Sequence, residues 1–445
     1  MQYDFILKNG NLVTPNDTYI ADIAVKDGKI AFTGKIGACD TACDLFDASS
    51  LHVLPGVIDA HVHFRDPGLT EKEDFQTGSI AAAFGGITMI ADMPNTIPAT
   101  STADYFNDKI SIAKEKSYID FALFALLTNE NIEEMENLKK AGALGFKVFY
   151  GTSTGDIACP SHPVLVQQLK MASSLGMRTG FHCETNDINS SFTGIAKKET
   201  DSPDGFWLDY ARPVISESQA ISNVIRCAAQ TGADVHIHHL TSCEGVFLVS
   251  EAKEKGIKVT SETCPHYLLF DNEVTHKVYP PIRDNSHRLE LWEAVKNGTI
   301  DMIASDHAPH TSAEKSLPLW EMPAGLCGVE TLVPIFLNEV NRGNLSINDF
   351  VRLTSESPAK IWNIFPRKGN LLPGADADFT LVDLKKKHVI DAERLHSKSG
   401  TSPFDGMQVQ GAVTATIVRG KFIMREGELT GDRGYGIMIK PDIPV

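Results

Sequence analysis

Histidine, lysine and carboxylate side chains recur in five short segments, each inside or directly after an apolar run. The first is His61-Val62-His63, in which the two imidazoles point to the same side of a strand because strand side chains alternate. The other four are Lys147 in G-F-K-V-F, His182-Cys183-Glu184, His236-Ile237-His238-His239 and Ser305-Asp306-His307. Imidazole and carboxylate ligands favour zinc or another first-row divalent cation, whereas the lack of grouped thiolates argues against an iron–sulfur cluster. A His-x-His pair alone is also typical of an ordinary strand end.

Lys147 is the unusual member of this set because its neighbours are Phe146, Val148 and Phe149. Burial among apolar side chains favours the neutral amine. A neutral amine can add carbon dioxide to form a carbamate, whose two oxygens can bridge two cations. The alternative is a lysine that forms an ion pair with an acidic neighbour.

The elements that carry these segments alternate between two patterns. Strand-like apolar runs occupy residues 53–59, 87–93, 121–127, 145–149, 178–183, 235–240, 258–263 and 300–304. Helix-like segments between them include residues 77–84, 132–141, 163–174, 216–230 and 288–296. Eight strands that alternate with helices predict the α/β class and a (β/α)8, TIM-like barrel. Active sites of such barrels lie at the carboxyl ends of the strands, and all five segments fall there.

Both ends of the chain carry short strand-like runs separated by turn signals such as N-G and D-G. Neither end has enough strands for a stable sheet of its own, so we expect the two ends to combine into one small β-sandwich domain. The predicted domains are residues 1–52 and 366–445 for this composite β-domain and residues 53–365 for the barrel.

The composition limits the kinds of molecule that the protein can bind and the compartment in which it is expected. The net charge of −16 argues against a nucleic acid or an acidic membrane as partner, because such partners need a basic patch. No apolar run approaches the ~18 residues of a membrane span, and the first residues lack the features of a signal peptide. The eight cysteines show no disulfide spacing, and Cys39 and Cys43 have no second pair with which to bind zinc. We therefore expect a soluble, cytoplasmic protein.

Six motifs in this order carry a resemblance to a known family. They are P-G-V-I-D-A-H-V-H-F-R-D-P-G (55–68), M-P-N-T (93–96), G-F-K-V-F (145–149), H-C-E (182–184), S-D-H-A-P-H (305–310) and G-A-D-A-D-F (374–379). Together they resemble the amidohydrolase superfamily, and within it the dihydroorotase family. Among the cyclic amidohydrolases, the R-D-P-G motif and P-A-G-L-C-G-V-E-T (323–331) favour dihydroorotases.

The resemblance implies a site with two divalent metal ions, for which zinc is the expected choice. In that site His61, His63 and Asp306 hold one metal, His182 and His239 hold the other, and a carboxylated Lys147 bridges them. Of the three histidines in 236–239, His239 is chosen because Leu240-Thr241 follows it, as in the family. Strand alternation supports this choice, since it places His236 and His238 together on the other face. Asp306 then acts as general base towards the water that the metals activate, and afterwards as general acid.

The resemblance also implies the substrate contacts. Arg65 and Asn95 would bind a substrate carboxylate, and further contacts would come from His63, His310, Ala324 and Gly325. The implied activity is the reversible interconversion of N-carbamoyl-L-aspartate and (S)-dihydroorotate in pyrimidine biosynthesis. A homo-oligomer, with a dimer as its simplest form, is the expected assembly.

The sequence departs from the dihydroorotase pattern at two places, and these leave other functions open. The G-F-K-V-F motif is also similar to those of hydantoinases and allantoinases, and Tyr279 stands where such relatives commonly carry an asparagine. The alternative function is therefore that of an allantoinase or a dihydropyrimidinase (hydantoinase). A non-catalytic, dihydroorotase-like scaffold is less favoured because every expected ligand is present. Residues 151–162, rich in Gly, Ser and Thr, are candidates for a loop that closes over the substrate.

Overall fold

The first part of the chain forms strands. The structure is a computed structural model and describes residues 2–37, 40–151 and 157–443. The strands that precede the barrel are β1 (Gln2–Val13), β2 (Thr18–Lys26), β3 (Lys29–Gly34), β4 (Thr41–Asp47) and β5 (His52–Pro55). Cys39 and residues 152–156 of the candidate closing loop lie outside the described residues.

The barrel strands run parallel to one another. They are β6 (Val57–Val62), β7 (Ile87–Asp92), β8 (Asp120–Leu123), β9 (Ala125–Leu126), β10 (Phe146–Tyr150), β11 (Thr179–Cys183), β12 (Val235–Ile237), β13 (Val259–Thr263) and β14 (Met302–Ile303). The third strand of the barrel is interrupted at Phe124, so that β8 pairs with β7 and β9 pairs with β10. The barrel closes where the His63 N–H donates to the His307 carbonyl over 2.8 Å. The first and the last barrel strand therefore meet beside Asp306.

Helices connect these strands and cover the barrel. They are α1 (Phe75–Phe84), α2 (Ala103–Lys116), α3 (Met135–Ala141), α4 (His162–Ser174), α5 (Asn186–Glu199), α6 (Gly205–Ala211), α7 (Val214–Thr231), α8 (Cys243–Glu254), α9 (Pro265–Leu269), α10 (Asn285–Asn297), α11 (Ser312–Lys315), α12 (Leu332–Asn341), α13 (Ile347–Val351) and α14 (Ser357–Ile361). Local sequence explains some of their ends: the Asp74 carboxylate accepts from the Gln76 and Thr77 N–H groups and so caps α1. In the described residues, no helix has the length and apolar character needed to cross a membrane.

The end of the chain returns to the first sheet. The last strands are β15 (Phe379–Val389), β16 (Gln408–Val418), β17 (Lys421–Arg425) and β18 (Glu428–Leu429). Within the described ranges they complete a nine-stranded sheet in the order β18-β17-β16-β15-β5-β1-β2-β3, with β4 paired to β1. The composite β-sandwich domain and the TIM-like barrel are confirmed.

Two segments differ from the sequence prediction in detail. β5, which the prediction placed in the first barrel strand, instead pairs with β1 and β15, and the barrel strand begins at Val57. The tail that follows the β-domain returns to the barrel, where Ile437 and Ile439 exchange backbone hydrogen bonds with Phe121. The predicted ranges of 1–52 and 366–445 for the β-domain and 53–365 for the barrel therefore need adjusting at two places. We propose that the β-domain also includes residues 53–55, and that the tail after β18 packs on the barrel.

Candidate active site

A pocket opens at the carboxyl ends of the barrel strands, as the barrel rule predicts. Its described lining consists of His61, His63, Arg65, Asn95, Lys147, Phe149, His182, His239, Val278, Tyr279, Asp306, Ala308, Ala324 and Gly325. Every predicted site residue except His310 is among them, and His310 lies directly behind Arg65 and Ala324. The empty space of the pocket is about 370 Å³ when the part open to solvent is included.

One group of ligand atoms lies where the barrel closes. The His61, His63 and Asp306 donor atoms all lie within 4.8 Å of one another. Asp306 Oδ1 is 3.4 Å from His61 Nε2 and 3.2 Å from His63 Nε2. On the opposite side of each ring, His61 Nδ1 is 2.5 Å from Glu262 Oε1 and His63 Nδ1 is 2.7 Å from Asn95 Oδ1. These acceptors hold a proton on Nδ1, so both Nε2 lone pairs face Asp306.

A second group lies across the pocket. His182 Nδ1 and His239 Nε2 face each other at 3.0 Å, and His182 Nε2 is 2.9 Å from Glu184 Oε2. Burial lowers the pKa of both imidazoles, which keeps them neutral and able to bind a cation. Burial alone would raise the pKa of Glu184, but the Arg212 guanidinium outweighs it and lowers that pKa to about 2.

Lys147 is a fully buried amine beside both groups. Its Nζ has no hydrogen-bond partner among the described residues and lies 5.1 Å from the centre of the Phe149 ring. Burial lowers the pKa of this amine to about 8. The orphaned Nζ, the neutral imidazoles and the carboxylate of Asp306 form a donor set that fits two divalent cations.

Three of the predicted site residues have an unusual backbone conformation. Arg65, His239 and Asp306 have positive φ angles of 61°, 37° and 48°. Residues other than glycine rarely adopt this left-handed region, and strain of this kind concentrates at functional sites. Each of the three lies two or three residues beyond the end of a barrel strand and lines the pocket. His239 is therefore separated from His236 and His238 by a turn, and not by strand alternation.

The polar wall of the pocket is largely occupied by contacts within the protein. Arg65 Nε donates to the Pro309 carbonyl over 3.2 Å, and Arg65 Nη2 lies 3.4 Å from His310 Nε2. His310 Nε2 is also 3.1 Å from the Ala324 carbonyl oxygen. Burial, with the cations of Arg65 and Lys72 adding to it, lowers the pKa of His310 to about 3, so this imidazole is neutral.

Gly325 forms the adjacent part of the wall. Its N–H donates to the Lys277 carbonyl and its own carbonyl accepts from Lys315 Nζ. Its φ is 147°, and a Cβ atom there would lie 2.4 Å from the Ala308 carbonyl oxygen. Only glycine therefore fits this close approach without displacing the backbone.

Several pocket residues were not predicted from the sequence. Phe149, Val278, Tyr279 and Ala308 form an apolar wall. The Tyr279 ring packs against the Arg212 guanidinium, whose carbon lies 3.6 Å from the ring centre. Glu262, beneath the pocket on β13, was also missed. The sequence does contain a signal for it, namely a glutamate within a predicted barrel strand, where the side chain has to be buried.

Comparison with known proteins agrees with this geometry. The model of the amidohydrolase family matches residues 52–423. An allantoinase of Deinococcus radiodurans is 36% identical over 97% of both chains. An L-hydantoinase of Paenarthrobacter aurescens is 34% identical over 98% of this chain and 97% of its own. The solved structure of an L-hydantoinase (dihydropyrimidinase) from Arthrobacter aurescens has a TM-score of 0.96 at 34% identity, covering 98% of this chain and 100% of the other.

The prediction of dihydroorotase activity, with its role in pyrimidine biosynthesis, is wrong, because these relatives are named allantoinase and hydantoinase. The argument relied on Arg65 and Asn95 as marks of a ring that bears a carboxylate. In the structure Arg65 Nε donates to a backbone carbonyl and Asn95 Oδ1 accepts from His63, so both side chains help to build the pocket whatever the ring carries. The chain belongs to the amidohydrolase family, among its cyclic amidohydrolases.

Proposed function

We propose that the protein hydrolyses an amide bond of a hydantoin-type ring, with allantoin as substrate. The observation that carries this proposal is the convergence of six side chains of the types that bind metals, in one pocket of a chain that matches allantoinases and hydantoinases over almost its whole length. Allantoin and the substituted hydantoins share the same five-membered ring, so one pocket can serve both.

The proposed assignment of the donors follows their grouping. His61, His63 and Asp306 would hold one cation, His182 and His239 the second, and a carboxylated Lys147 would bridge them. Zinc suits these nitrogen and oxygen ligands. When bound, two such ions polarise a carbonyl group and make a water molecule acidic enough to lose its proton near neutral pH.

Asp306 is placed to move the proton. Its Oδ1 lies against the imidazoles of His61 and His63, and the side chain is only slightly exposed at the pocket floor. The carboxylate would accept a proton from the attacking water and deliver it to the ring nitrogen that leaves. Burial lowers the pKa of the His182 and His239 imidazoles, so they are weak bases that compete poorly for that proton.

Substrate binding would use the two walls of the pocket. We propose that Arg65 donates to the substituent on the ring, that His63 and Asn95 border the ring, and that His310 supports the backbone of Ala324 and Gly325 against it. Arg65 has no carboxylate in contact in the described part of the chain, so its remaining N–H groups can serve a ligand. The ureido carbonyl of allantoin is a suitable acceptor.

A second candidate substrate is a hydantoin with an apolar substituent. The apolar wall of Phe149, Val278 and Tyr279 favours it, since a hydrocarbon group would remove that wall from water. Allantoin offers no comparable apolar surface. The two candidates therefore make different use of the same pocket, and their relative rates decide between them.

The test is ring opening by the full-length, zinc-loaded protein. We expect turnover of allantoin, slower turnover of 5-benzylhydantoin, and little turnover of dihydrouracil. The Asp306→Asn protein, prepared in the same way, controls for a contaminating enzyme. Turnover restricted to dihydroorotate, or of none of these rings, would overturn the proposal. Size-exclusion chromatography of the same preparation tests the homo-oligomer, which stays a prediction.

A further inference from the structure

The Tyr279 side chain separates the pocket from a buried guanidinium. Tyr279 lines the pocket, and the guanidinium carbon of Arg212 lies 3.6 Å from the centre of its ring. Arg212 is buried and is not among the described residues that line the pocket. One face of the ring is therefore covered by Arg212, and in that direction the pocket ends at Tyr279.

The guanidinium behind the ring is held in place by further contacts. Arg212 Nε donates to Glu184 Oε1 over 2.8 Å, and Arg212 Nη2 bonds Glu184 Oε2. The Arg212 carbonyl accepts from Arg283 Nη1. A ring that packs on a buried guanidinium of this kind gains a cation–π contact with a partner of fixed position. The Tyr279 ring is therefore a fixed part of the pocket wall.

The backbone on both sides of Tyr279 is fixed as well. Before it, the buried Lys277 side chain donates from Nζ to the Trp320 carbonyl over 3.0 Å. After it, the Pro280 carbonyl accepts from the buried Tyr267 hydroxyl over 2.7 Å. Closely packed regions of a protein have little room to yield, so this wall cannot widen for a larger ligand without losing these contacts.

We propose that Tyr279 is a specificity-determining residue, which limits the size of the substituent on a hydantoin ring in this pocket. A short substituent fits in front of the Tyr279 ring, whereas a benzyl group requires that ring to leave Arg212. This inference rests on the proposed function, since it requires that the pocket binds such rings. It adds the property by which the pocket selects among them, namely size.

The test compares two hydantoins whose substituents are both apolar but differ in size. The kcat/KM values for 5-benzylhydantoin and 5-methylhydantoin are measured with the full-length, zinc-loaded wild type and with Tyr279→Ala. Because both rings are opened at the same site, damage to that site lowers both values and cancels in their ratio. We expect Tyr279→Ala to raise the ratio of the benzyl to the methyl compound about tenfold or more, as is usual when a pocket gains room for a group that it excluded.

Two further variants serve as controls. Tyr435→Ala removes another tyrosine that packs on a guanidinium, since the Arg419 carbon lies 4.5 Å from the Tyr435 ring centre, but Tyr435 is not part of the described pocket lining. Its ratio should stay within about twofold of wild type, the scatter expected for a distant substitution. Tyr279→Phe keeps the ring and removes only the hydroxyl group, so its ratio should also stay within about twofold.

The outcomes distinguish the two proposals. A wild type that opens neither allantoin nor any hydantoin overturns the proposed function, and this inference with it. An active wild type overturns the inference alone if it fails to open 5-methylhydantoin, or if Tyr279→Ala has an unchanged or lower ratio. A lower ratio would mean that the ring is a favourable contact for a large substituent. If Tyr279→Ala does not fold, Tyr279→Leu is measured in the same way: it removes less volume, so we expect a several-fold rise, and an unchanged ratio contradicts the proposal.

Discussion

Two buried clusters of charged groups lie at opposite ends of the barrel, and they are built differently. At the amino ends of the strands, Lys368 Nζ lies 2.5 Å from Asp120, 2.5 Å from Asp378 and 3.0 Å from Asp376. Arg419 pairs with Asp120 in the same cluster. At the carboxyl ends, the Lys147 amine has no hydrogen-bond partner within the described ranges, and burial keeps the surrounding imidazoles neutral.

The difference separates a structural cluster from a binding site. The cluster around Lys368 at the amino ends is here called the lower cluster. Its three carboxylates lie close enough together to hold a cation, but the ammonium of Lys368 already contacts all three. That cluster joins the third barrel strand to the β-domain, and its charges are satisfied within the chain. In the cluster at the carboxyl ends, here called the upper cluster, the Lys147 amine has no partner among the described residues, which costs stability unless a ligand completes the site.

The largest expected effect is on catalysis, from Asp306→Asn in the upper cluster. The amide can neither accept the proton of water nor bind a cation as a carboxylate does, so turnover of allantoin should fall by about three orders of magnitude. Because the residue is part of a site built for ligands, the Tm of the metal-free protein should hardly change. Steady-state kinetics and thermal unfolding of the same preparation measure both, and a rate within tenfold of wild type would show that another group moves the proton.

Lys368→Met should have the opposite pattern. It leaves the carboxylates of Asp120, Asp376 and Asp378 buried without their cation, so the free energy of unfolding should fall by about 3–5 kcal/mol. The kcat of the folded fraction should stay close to wild type. Urea unfolding followed by circular dichroism measures the change. A loss below about 1 kcal/mol would mean that the lower cluster does not hold the two domains together, since it would match an exposed pair.

Arg65→Ala tests the ligand-facing part of the upper cluster. Removing a charged hydrogen-bond donor should raise KM for allantoin about tenfold, with a much smaller change in kcat, because a bond to a charged group contributes about 1.5–3 kcal/mol. Arg65→Lys keeps the charge but loses the planar guanidinium, so its KM for allantoin should lie between those of the wild type and Arg65→Ala. An unchanged KM in Arg65→Ala would place the ring substituent against the apolar wall instead.

Arg367→Ala is expected to have the smallest effect. Its Nε lies 2.9 Å from Asp376, but its side chain is 40% exposed, so water screens the pair. The free energy of unfolding should change by less than about 1 kcal/mol. Urea unfolding beside Lys368→Met gives the comparison. A loss as large as that of Lys368→Met would indicate that the rim of the lower cluster matters as much as its buried centre.

Much of the fold was predictable because it depends on local pattern. Apolar runs that alternate with helices predicted the barrel, and the residues at the strand ends predicted the pocket lining. The start of the first barrel strand was not predictable. Apolar residues such as 53–55 suit the barrel and the β-domain sheet equally well, and only their pairing with β1 and β15 shows that they belong to the β-domain sheet. The contacts of Lys368 with Asp120, far apart in the chain, left no local signal either.

The prediction that the substrate ring carries a carboxylate was wrong for a similar reason. Arg65 beside the His-x-His pair was interpreted as a donor for a substrate carboxylate, but a sequence does not show that Pro309 and His310 lie against it. The same holds for Asn95, whose oxygen is used by His63. Residue type predicted where these side chains lie, while the partners that limit their use come from distant parts of the chain.

The closure of the barrel has a mechanical consequence. The hydrogen bond between His63 and His307 joins the first barrel strand to the last, and the proposed ligands His61 and Asp306 lie on the two sides of that seam. A cation shared by them would act as a removable cross-link, since it would close a loop that spans nearly the whole barrel sequence and so restrict the unfolded chain. Metal removal should then speed amide hydrogen exchange at this seam before it does so elsewhere in the barrel.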